Sequence, residues 1–192
     1  ILCRVGRCVR ECSNPKENIM ENFRYCSPTE FIFGRGVQSE TGVALKRYGA
    51  QKVMIVYGSD RIKKDGLFDE VTKSLDAEGI AWTEFGGISP NPTAESVYAG
   101  IAKAVAEGVD FLLAIGGGSP IDAAKGIALG AVTTEDFWDF YNGTSQPVAA
   151  LPVGVVLTIP AAGSEGSGNS VITNEKTHQK ISVRYPFLLR PR

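Results

Sequence analysis

Short apolar runs alternate along the chain with longer segments in which apolar residues recur every three or four positions. The runs, such as KVMIVY at 52–57 and FLLAI at 111–115, predict strands that are buried on both faces. The longer segments predict amphipathic helices, several of which end at a glycine. In chain order the pattern predicts a helix over 37–48, a strand over 52–57, a helix over 66–78, a strand over 81–85, a helix over 91–107, a strand over 111–115, helices over 120–129 and 134–141, and a strand over 155–159.

This regular alternation predicts an α/β fold, a Rossmann-like parallel sheet with helices on both faces. Two short hairpins are predicted beside the sheet, one from 23–25 and 30–33 and one from 171–173 and 180–183. Open parallel sheets bind their ligands beyond the carboxyl ends of the strands. The residues that follow positions 57, 85, 115 and 159 are therefore the candidates for a binding site.

Charge and apolarity argue against two classes of partner. The 192 residues carry 20 Lys and Arg against 21 Asp and Glu, so the sequence lacks the basic excess of a nucleic-acid-binding protein. The most apolar stretch, residues 148–163, is interrupted by prolines and is too short to cross a membrane. We therefore expect no nucleic acid and no membrane among the partners.

Three of the four cysteines fall within the first twelve residues, and the nearly cysteine-free body indicates a reducing, cytoplasmic compartment.

The two ends of the chain differ from its body. Residues 1–19 show neither a helical nor a strand period and precede Met20, so we expect them to be a non-native or disordered extension. Residues 20–192 form the expected domain. The last residues, YPFLLRPR, contain apolar side chains without a cap or a polar tail, and we expect the chain to be the front part of a longer protein.

The clearest chemical signal follows the strand at 111–115. Gly116, Gly117 and Gly118 turn the chain, and Ser119 and Pro120 are typical of the N-cap and the first residue of the next helix. Bare glycine backbone lets N–H groups approach an anion, and the helix N-terminus adds about half a positive charge. The turn is therefore predicted to hold a pyrophosphate. The alternative is a tight turn without a ligand.

The residues after Tyr57 bear on the choice of a nicotinamide cofactor. Small residues at Gly58 and Ser59 and a base at Arg61 favour the 2′-phosphate of NADP, whereas Asp60 favours the ribose hydroxyls of NAD. The alternative is a solvated loop that carries charges.

The segment after position 159 is rich in glycine and hydroxyl residues. Residues 160–170 are small enough to line a nicotinamide or a sugar, although a flexible surface loop has the same composition. The single histidine, His178, lies in a polar turn, which argues against a hydrolase triad and against a site with several imidazole ligands.

Three stretches together resemble the iron-containing alcohol dehydrogenase family, in its butanol dehydrogenase branch. They are NPT at 91–93, GGGSPIDAAK at 116–125 and LTIPAAGSEGSGNSVITNEKTHQK at 157–180, and the likeness covers about residues 20–192. The resemblance implies a dehydroquinate-synthase-like α/β cofactor domain, with a C-terminal helical domain missing from this chain. It implies an NAD(P)H-dependent alcohol dehydrogenase or aldehyde reductase that transfers hydride between nicotinamide and a metal-bound primary alcohol or aldehyde.

The resemblance also implies roles for individual residues. Gly116, Gly117, Gly118 and Ser119 would hold the pyrophosphate, with Asp122 and Lys125 at the motif positions of the following helix. Gly58, Ser59 and Arg61 would surround the adenosine ribose, with NADP favoured over NAD. The positions that would line the ribose, the nicotinamide or the phosphates are Asn91, Thr158, Ser164 and Lys180.

The family's divalent metal, Fe or Zn, has no ligands in this sequence, and the resemblance implies that they lie beyond Arg192. It follows that no catalytic residue lies in this chain, which we expect to bind cofactor without turnover. The resemblance further implies a homodimer when the protein is full length. The alternatives are a dehydroquinate-synthase-like or glycerol-dehydrogenase-like NAD enzyme and a non-catalytic nucleotide-binding domain.

Overall fold

The structure is a computed structural model that describes residues 27–192. Six strands and six α-helices follow one another in the described part of the chain, with 3₁₀ turns at Val37–Glu40 and Ser164–Gly166. They are α1 (Thr41–Arg47), β1 (Lys52–Tyr57), α2 (Arg61–Lys64), α3 (Leu67–Ala77), β2 (Ala81–Phe85), α4 (Ala94–Glu107), β3 (Phe111–Gly116), α5 (Gly118–Gly130), α6 (Phe137–Asn142), β4 (Val153–Leu157), β5 (Asn169–Asn174) and β6 (Gln179–Arg184).

Four of the strands form a parallel sheet in the order β2-β1-β3-β4. Side chains of one strand point alternately to the two faces, and here both faces are covered. Val53 and Ile55 of β1 pack in one cluster with α1 and α3, while Met54 and Val56 pack in the other with α4 and α5. The central strands β1 and β3 are therefore apolar at nearly every position, and the predicted parallel α/β fold is confirmed.

The hairpin predicted near the C-terminus is confirmed as β5 and β6, which pair antiparallel. It is tied to the loop that leads into α4, since Thr173 N donates to Pro92 O at 2.9 Å and Thr93 forms an isolated parallel β-bridge with Thr173. Ile172 and Val183 enter the same apolar cluster as α5. The hairpin is therefore fixed beside the carboxyl edge of the sheet.

Several sequence-based assignments differ from the structure. The helices predicted over 91–107 and 134–141 begin only at Ala94 and Phe137. The predicted helix over 37–48 begins with a 3₁₀ turn and is α-helical only over Thr41–Arg47. The last strand of the sheet is Val153–Leu157 and not 155–159, because pairing with β3 begins at Val153. Residues 30–33 have no strand structure, while their predicted partner at 23–25, like the extension at 1–19, lies outside the described residues.

The helices of the described chain are short. None of those between residues 27 and 192 combines the length and the apolarity that are needed to cross a membrane.

Candidate functional site

The order of the strands opens a crevice between β1 and β3. From β1 the chain crosses to β2 on one side, whereas from β3 it crosses to β4 on the other. Such a switch point leaves a gap at the carboxyl ends of the two adjacent strands, where open α/β sheets bind ligands. Gly58 follows β1 and Gly117 follows β3, so two of the predicted site segments meet at this gap.

The glycine turn at the end of β3 has a backbone that glycine alone adopts without strain. Gly116 has a φ of +151°, and a Cβ added there would lie 2.8 Å from the Pro120 side chain. The N-cap of α5 is Gly117 rather than Ser119, and Pro120 is the third helical residue rather than the first. The predicted boundary is therefore wrong by two residues. Proline is tolerated here because N–H groups of a first helical turn have no partner within the helix.

The start of α5 has the features of an anion site. The helix is 13 residues long, and the N–H groups of Gly118 and Ser119 lack partners within the helix. A Cβ at Gly117 would meet Ile159 at 3.7 Å, and one at Gly118 would meet the Ala162 Cβ at 3.3 Å. Bare backbone N–H groups at a helix N-terminus, between narrow walls, fit the pyrophosphate of a dinucleotide.

The loop after β1 lies against the loop after β2. Gly58 O accepts from Gly87 N at 2.9 Å, and a Cβ at Gly58 would come within 3.2 Å of Ile88 O. Ser59 and Asp60 are exposed beside it. The Arg61 guanidinium reaches Asp65 at 3.2 Å in an exposed pair, which leaves it free to reorient.

Lys63 is held by other side chains of the domain. Its Nζ lies 2.6 Å from Glu84 Oε2 and also over the rings of Tyr57 and Phe68. The Tyr57 hydroxyl donates to the same carboxylate oxygen at 2.8 Å. The hydrogen bond from Lys63 is the main reason why the pKa of Glu84 lies below its usual value. Of the bases near the Gly58 loop, Arg61 is therefore more available to a ligand than Lys63.

Three predicted site residues from separate elements meet at one place. Lys180 Nζ, from β6, donates to Asn91 Oδ1 at 2.7 Å. Asn91 N in turn donates to Ser119 Oγ at 3.3 Å. Asn91 has a φ of +58°, a conformation that asparagine tolerates better than most residues. The structure thus brings the hairpin and the loop before α4 to the start of α5.

Asp122 and Ser164 are paired with each other. The Ser164 hydroxyl donates to Asp122 Oδ1 at 2.6 Å, and Val171 N donates to Oδ2 at 3.2 Å. Burial raises the pKa of Asp122, and the hydrogen bond from Ser164 counters that effect. Both side chains thus form hydrogen bonds within the protein. Thr158, in contrast, is exposed, and its backbone N–H donates to Gly116 O at 3.0 Å.

Lys125 has a structural environment that the sequence reasoning missed. Its side chain is fully buried, and Nζ is within hydrogen-bond distance of Ser164 O at 2.7 Å, Ser164 Oγ at 3.0 Å, Ser167 O at 2.9 Å and Asn169 O at 2.8 Å. Burial lowers the pKa of Lys125 to about 8, against the opposing effects of Asp122 and Glu165. The available signal was a lysine that is the only charged residue among the small and apolar residues 123–130.

No metal centre is formed among residues 27–192, where no three His, Cys, Asp or Glu side chains come close enough together to hold an ion. His178 is exposed in the turn between β5 and β6. The residues present in the described chain do not fit a divalent metal, and no step through one is derived from them.

Comparison with known proteins matches this fold and site to one family. The family model for iron-containing alcohol dehydrogenases matches residues 28–191, and the chain belongs to that family. The probable NADH-dependent butanol dehydrogenase 1 of Bacillus subtilis is 46% identical over 169 residues, covering 88% of this chain and 43% of the relative. The NADPH-dependent aldehyde reductase YqhD of Escherichia coli is 38% identical over 164 residues, which cover 84% of this chain and 41% of the relative.

A solved structure agrees with these relatives. The crystal structure of NADH-dependent butanol dehydrogenase A from Thermotoga maritima superposes with a TM-score of 0.85 at 44% identity, over 90% of this chain and 43% of that one. The family resemblance inferred from the three sequence stretches is thus confirmed. The chain spans about two-fifths of the length of the curated relatives it matches.

Proposed function

We propose that residues 27–192 are the cofactor-binding domain of an NAD(P)H-dependent alcohol dehydrogenase or aldehyde reductase acting on primary alcohols or aldehydes. The observation that carries this proposal is the glycine turn at the N-terminus of α5, placed at the switch point of the sheet. The names of the relatives support it, since they are NADH-dependent butanol dehydrogenases and an NADPH-dependent aldehyde reductase.

A bound NAD(P)H would supply the hydride, and the residues of this chain would bind and orient it. The N–H groups of Gly117, Gly118 and Ser119 would hold the pyrophosphate. Towards the adenosine end, Gly58, Ser59 and Arg61 would contact the ribose. Asn91, Thr158 and Lys180 lie around the start of α5 and would contact the remaining sugar and phosphate groups. Asp122 and Ser164, which are hydrogen-bonded to each other, would shape the side of the binding site and would not contact the cofactor directly.

Catalysis requires groups that the described residues do not assemble. We propose that the metal ligands, Fe or Zn being the metal, and the catalytic residues lie beyond Arg192, because the relatives are more than twice as long as the matched region. This chain alone is then expected to bind cofactor without turnover, even with added Fe²⁺ or Zn²⁺. The full-length protein is proposed to be a cytoplasmic homodimer.

The direct test is a titration of this chain with NADPH and with NADH, after circular dichroism has shown that it is folded. Energy transfer from Trp82 and Trp138 to the reduced nicotinamide reports binding. Saturable binding is the expected result, with NADPH favoured. Failure of a folded chain to bind either cofactor would contradict the proposal.

The preference for NADPH depends on the charges around the Gly58 loop. Asp60→Asn is expected to raise the affinity for NADPH relative to NADH roughly tenfold, because it removes a negative charge beside the proposed 2′-phosphate, which is worth about 1 to 1.5 kcal/mol. The measurement is the ratio of the two dissociation constants. Asp69→Asn, at an exposed position on α3, is the matched control and should leave the ratio unchanged. An unchanged ratio in Asp60→Asn would show that Asp60 does not face the ribose.

A further inference from the structure

The segment between β4 and β5, residues 158–168, covers one side of the glycine turn and is here called the covering loop. Its first residue is fixed, since Thr158 N donates to Gly116 O at 3.0 Å. The loop then passes so close to the turn that a Cβ at Gly118 would lie 3.3 Å from the Ala162 Cβ. The covering loop is thus a wall of the proposed pyrophosphate site.

Lys125 makes several contacts with the far end of the covering loop, where the Ser164 hydroxyl also donates to Asp122 Oδ1 and Gly168 O accepts from Tyr185 N. Lys125 Nζ contacts three main-chain oxygens, those of Ser164 at 2.7 Å, Ser167 at 2.9 Å and Asn169 at 2.8 Å. Between the two anchors, residues 159–163 are all exposed. Their position is therefore set by the anchors at either end and not by burial of their own side chains.

The ammonium of Lys125 is buried, which makes it an energetically unfavourable group with which to hold a loop. Burying a charge has a large desolvation penalty that its hydrogen bonds must offset, and an apolar side chain of similar volume often serves packing as well. The charged groups facing it are Asp122 of the same helix, Glu165 of the covering loop and Arg190. Burial lowers the pKa of Lys125, whereas the carboxylates of Asp122 and Glu165 favour its charged form. Three directed hydrogen bonds specify a loop position in a way that apolar contacts do not.

We propose that Lys125 is a positioning residue for the cofactor: by binding the main-chain oxygens of Ser164, Ser167 and Asn169, it holds residues 159–163 against Gly117 and Gly118 before the cofactor arrives. The inference rests on the proposed function, that the turn binds NAD(P)H. A wall that is already in place need not be ordered on binding, so its preorganisation strengthens cofactor affinity.

The first test compares variants of this chain in the NADPH titration. Lys125→Met, which keeps the length and loses the donors, is expected to weaken NADPH binding at least tenfold. Lys125→Arg keeps a cation with several donors and is expected to recover most of the affinity. The control is Tyr141→Phe, which removes the buried hydrogen bond to Ser170 Oγ and leaves the Lys125 contacts in place. It should lower the melting temperature but keep the NADPH affinity within twofold.

The second test measures hydrogen exchange at Gly166 and Ser167, whose amides donate within the covering loop. In the unsubstituted chain we expect protection before NADPH is added and little change afterwards. In Lys125→Met we expect exchange to be at least tenfold faster, with NADPH restoring protection, while β1 and β3 exchange as before.

The outcomes separate the two proposals. A folded, unsubstituted chain that does not bind NADPH contradicts the proposed function. Unchanged NADPH affinity in a folded Lys125→Met contradicts only the positioning role. If Lys125→Met does not fold, exchange in the unsubstituted chain decides, because protection that appears only with NADPH would show that Lys125 does not preorganise the loop.

Discussion

Gly118→Asp is expected to weaken NADPH binding more than about a hundredfold without lowering the free energy of unfolding. The aspartate would stand at the first position of α5, where a carboxylate stabilises the helix by up to about 1 kcal/mol. The same carboxylate would face the pyrophosphate. Two unit charges about 4 Å apart near a protein surface repel by about 4 kcal/mol, which exceeds the roughly 2.7 kcal/mol of a hundredfold change. Stability and binding should therefore move in opposite directions.

Gly118→Asn is the matched control for that experiment. It introduces the same Cβ, 3.3 Å from the Ala162 Cβ, and nearly the same volume without the charge. The titration should show a much smaller loss of affinity in this variant, and denaturant unfolding should show that both variants fold. Equal losses for Asp and Asn would mean that the loop wall was displaced, and would argue against an anion at the N-terminus of α5.

Gly42→Ala is expected to destabilise the domain by about 3 kcal/mol, although it adds one methyl group. Gly42 lies where α1 crosses α3, and its N–H donates to Ser74 Oγ at 2.8 Å. An added Cβ would overlap the backbone carbonyl oxygen of Ser74, and a backbone atom cannot turn aside as a side-chain tip can. The helices must separate, with loss of packing over the sheet. The measurement is the midpoint of denaturant unfolding.

The neighbouring substitution Val43→Ala provides the control. Val43 is on the same helix and is 51% exposed, so its truncation should change the free energy of unfolding by less than about 1 kcal/mol. If Gly42→Ala were as mild as Val43→Ala, the close approach of α1 and α3 would not be a feature of the protein in solution.

The sheet could be predicted from the sequence because its central strands are buried on both faces. β1 and β3 are uninterrupted apolar runs with glycine or charged residues at their ends, and β1 was placed to the residue. β4 was misplaced by two residues, since Gly154 and Pro152 look like loop residues in a stretch that is apolar throughout. Residues 30–33 (EFIF) are residue types that favour strands, apart from Glu30, yet they have no strand partner in the described chain.

The candidate site was predictable where local backbone chemistry defines it. Three glycines before a helix are a local signal for an anion site, so residues 116–118 could be named as candidates from their neighbours alone. Lys125 could not, because its acceptors are main-chain oxygens some forty residues further along, and any amino acid supplies such an oxygen. The ion pair between Lys63 and Glu84 was hidden for a different reason: it joins α2 to β2, and the sequence does not show that these two elements are neighbours.

The strand order has a consequence for how the chain folds. β2 joins one edge of β1, β3 joins the other edge, and β4 then joins the free edge of β3. No strand is inserted between two strands that both precede it in the chain. The sheet can therefore grow in the order of synthesis, each new strand docking on an open edge without reopening an earlier pair. In such an assembly the glycine turn is complete before the covering loop has been made, and Lys125 is in place to receive it.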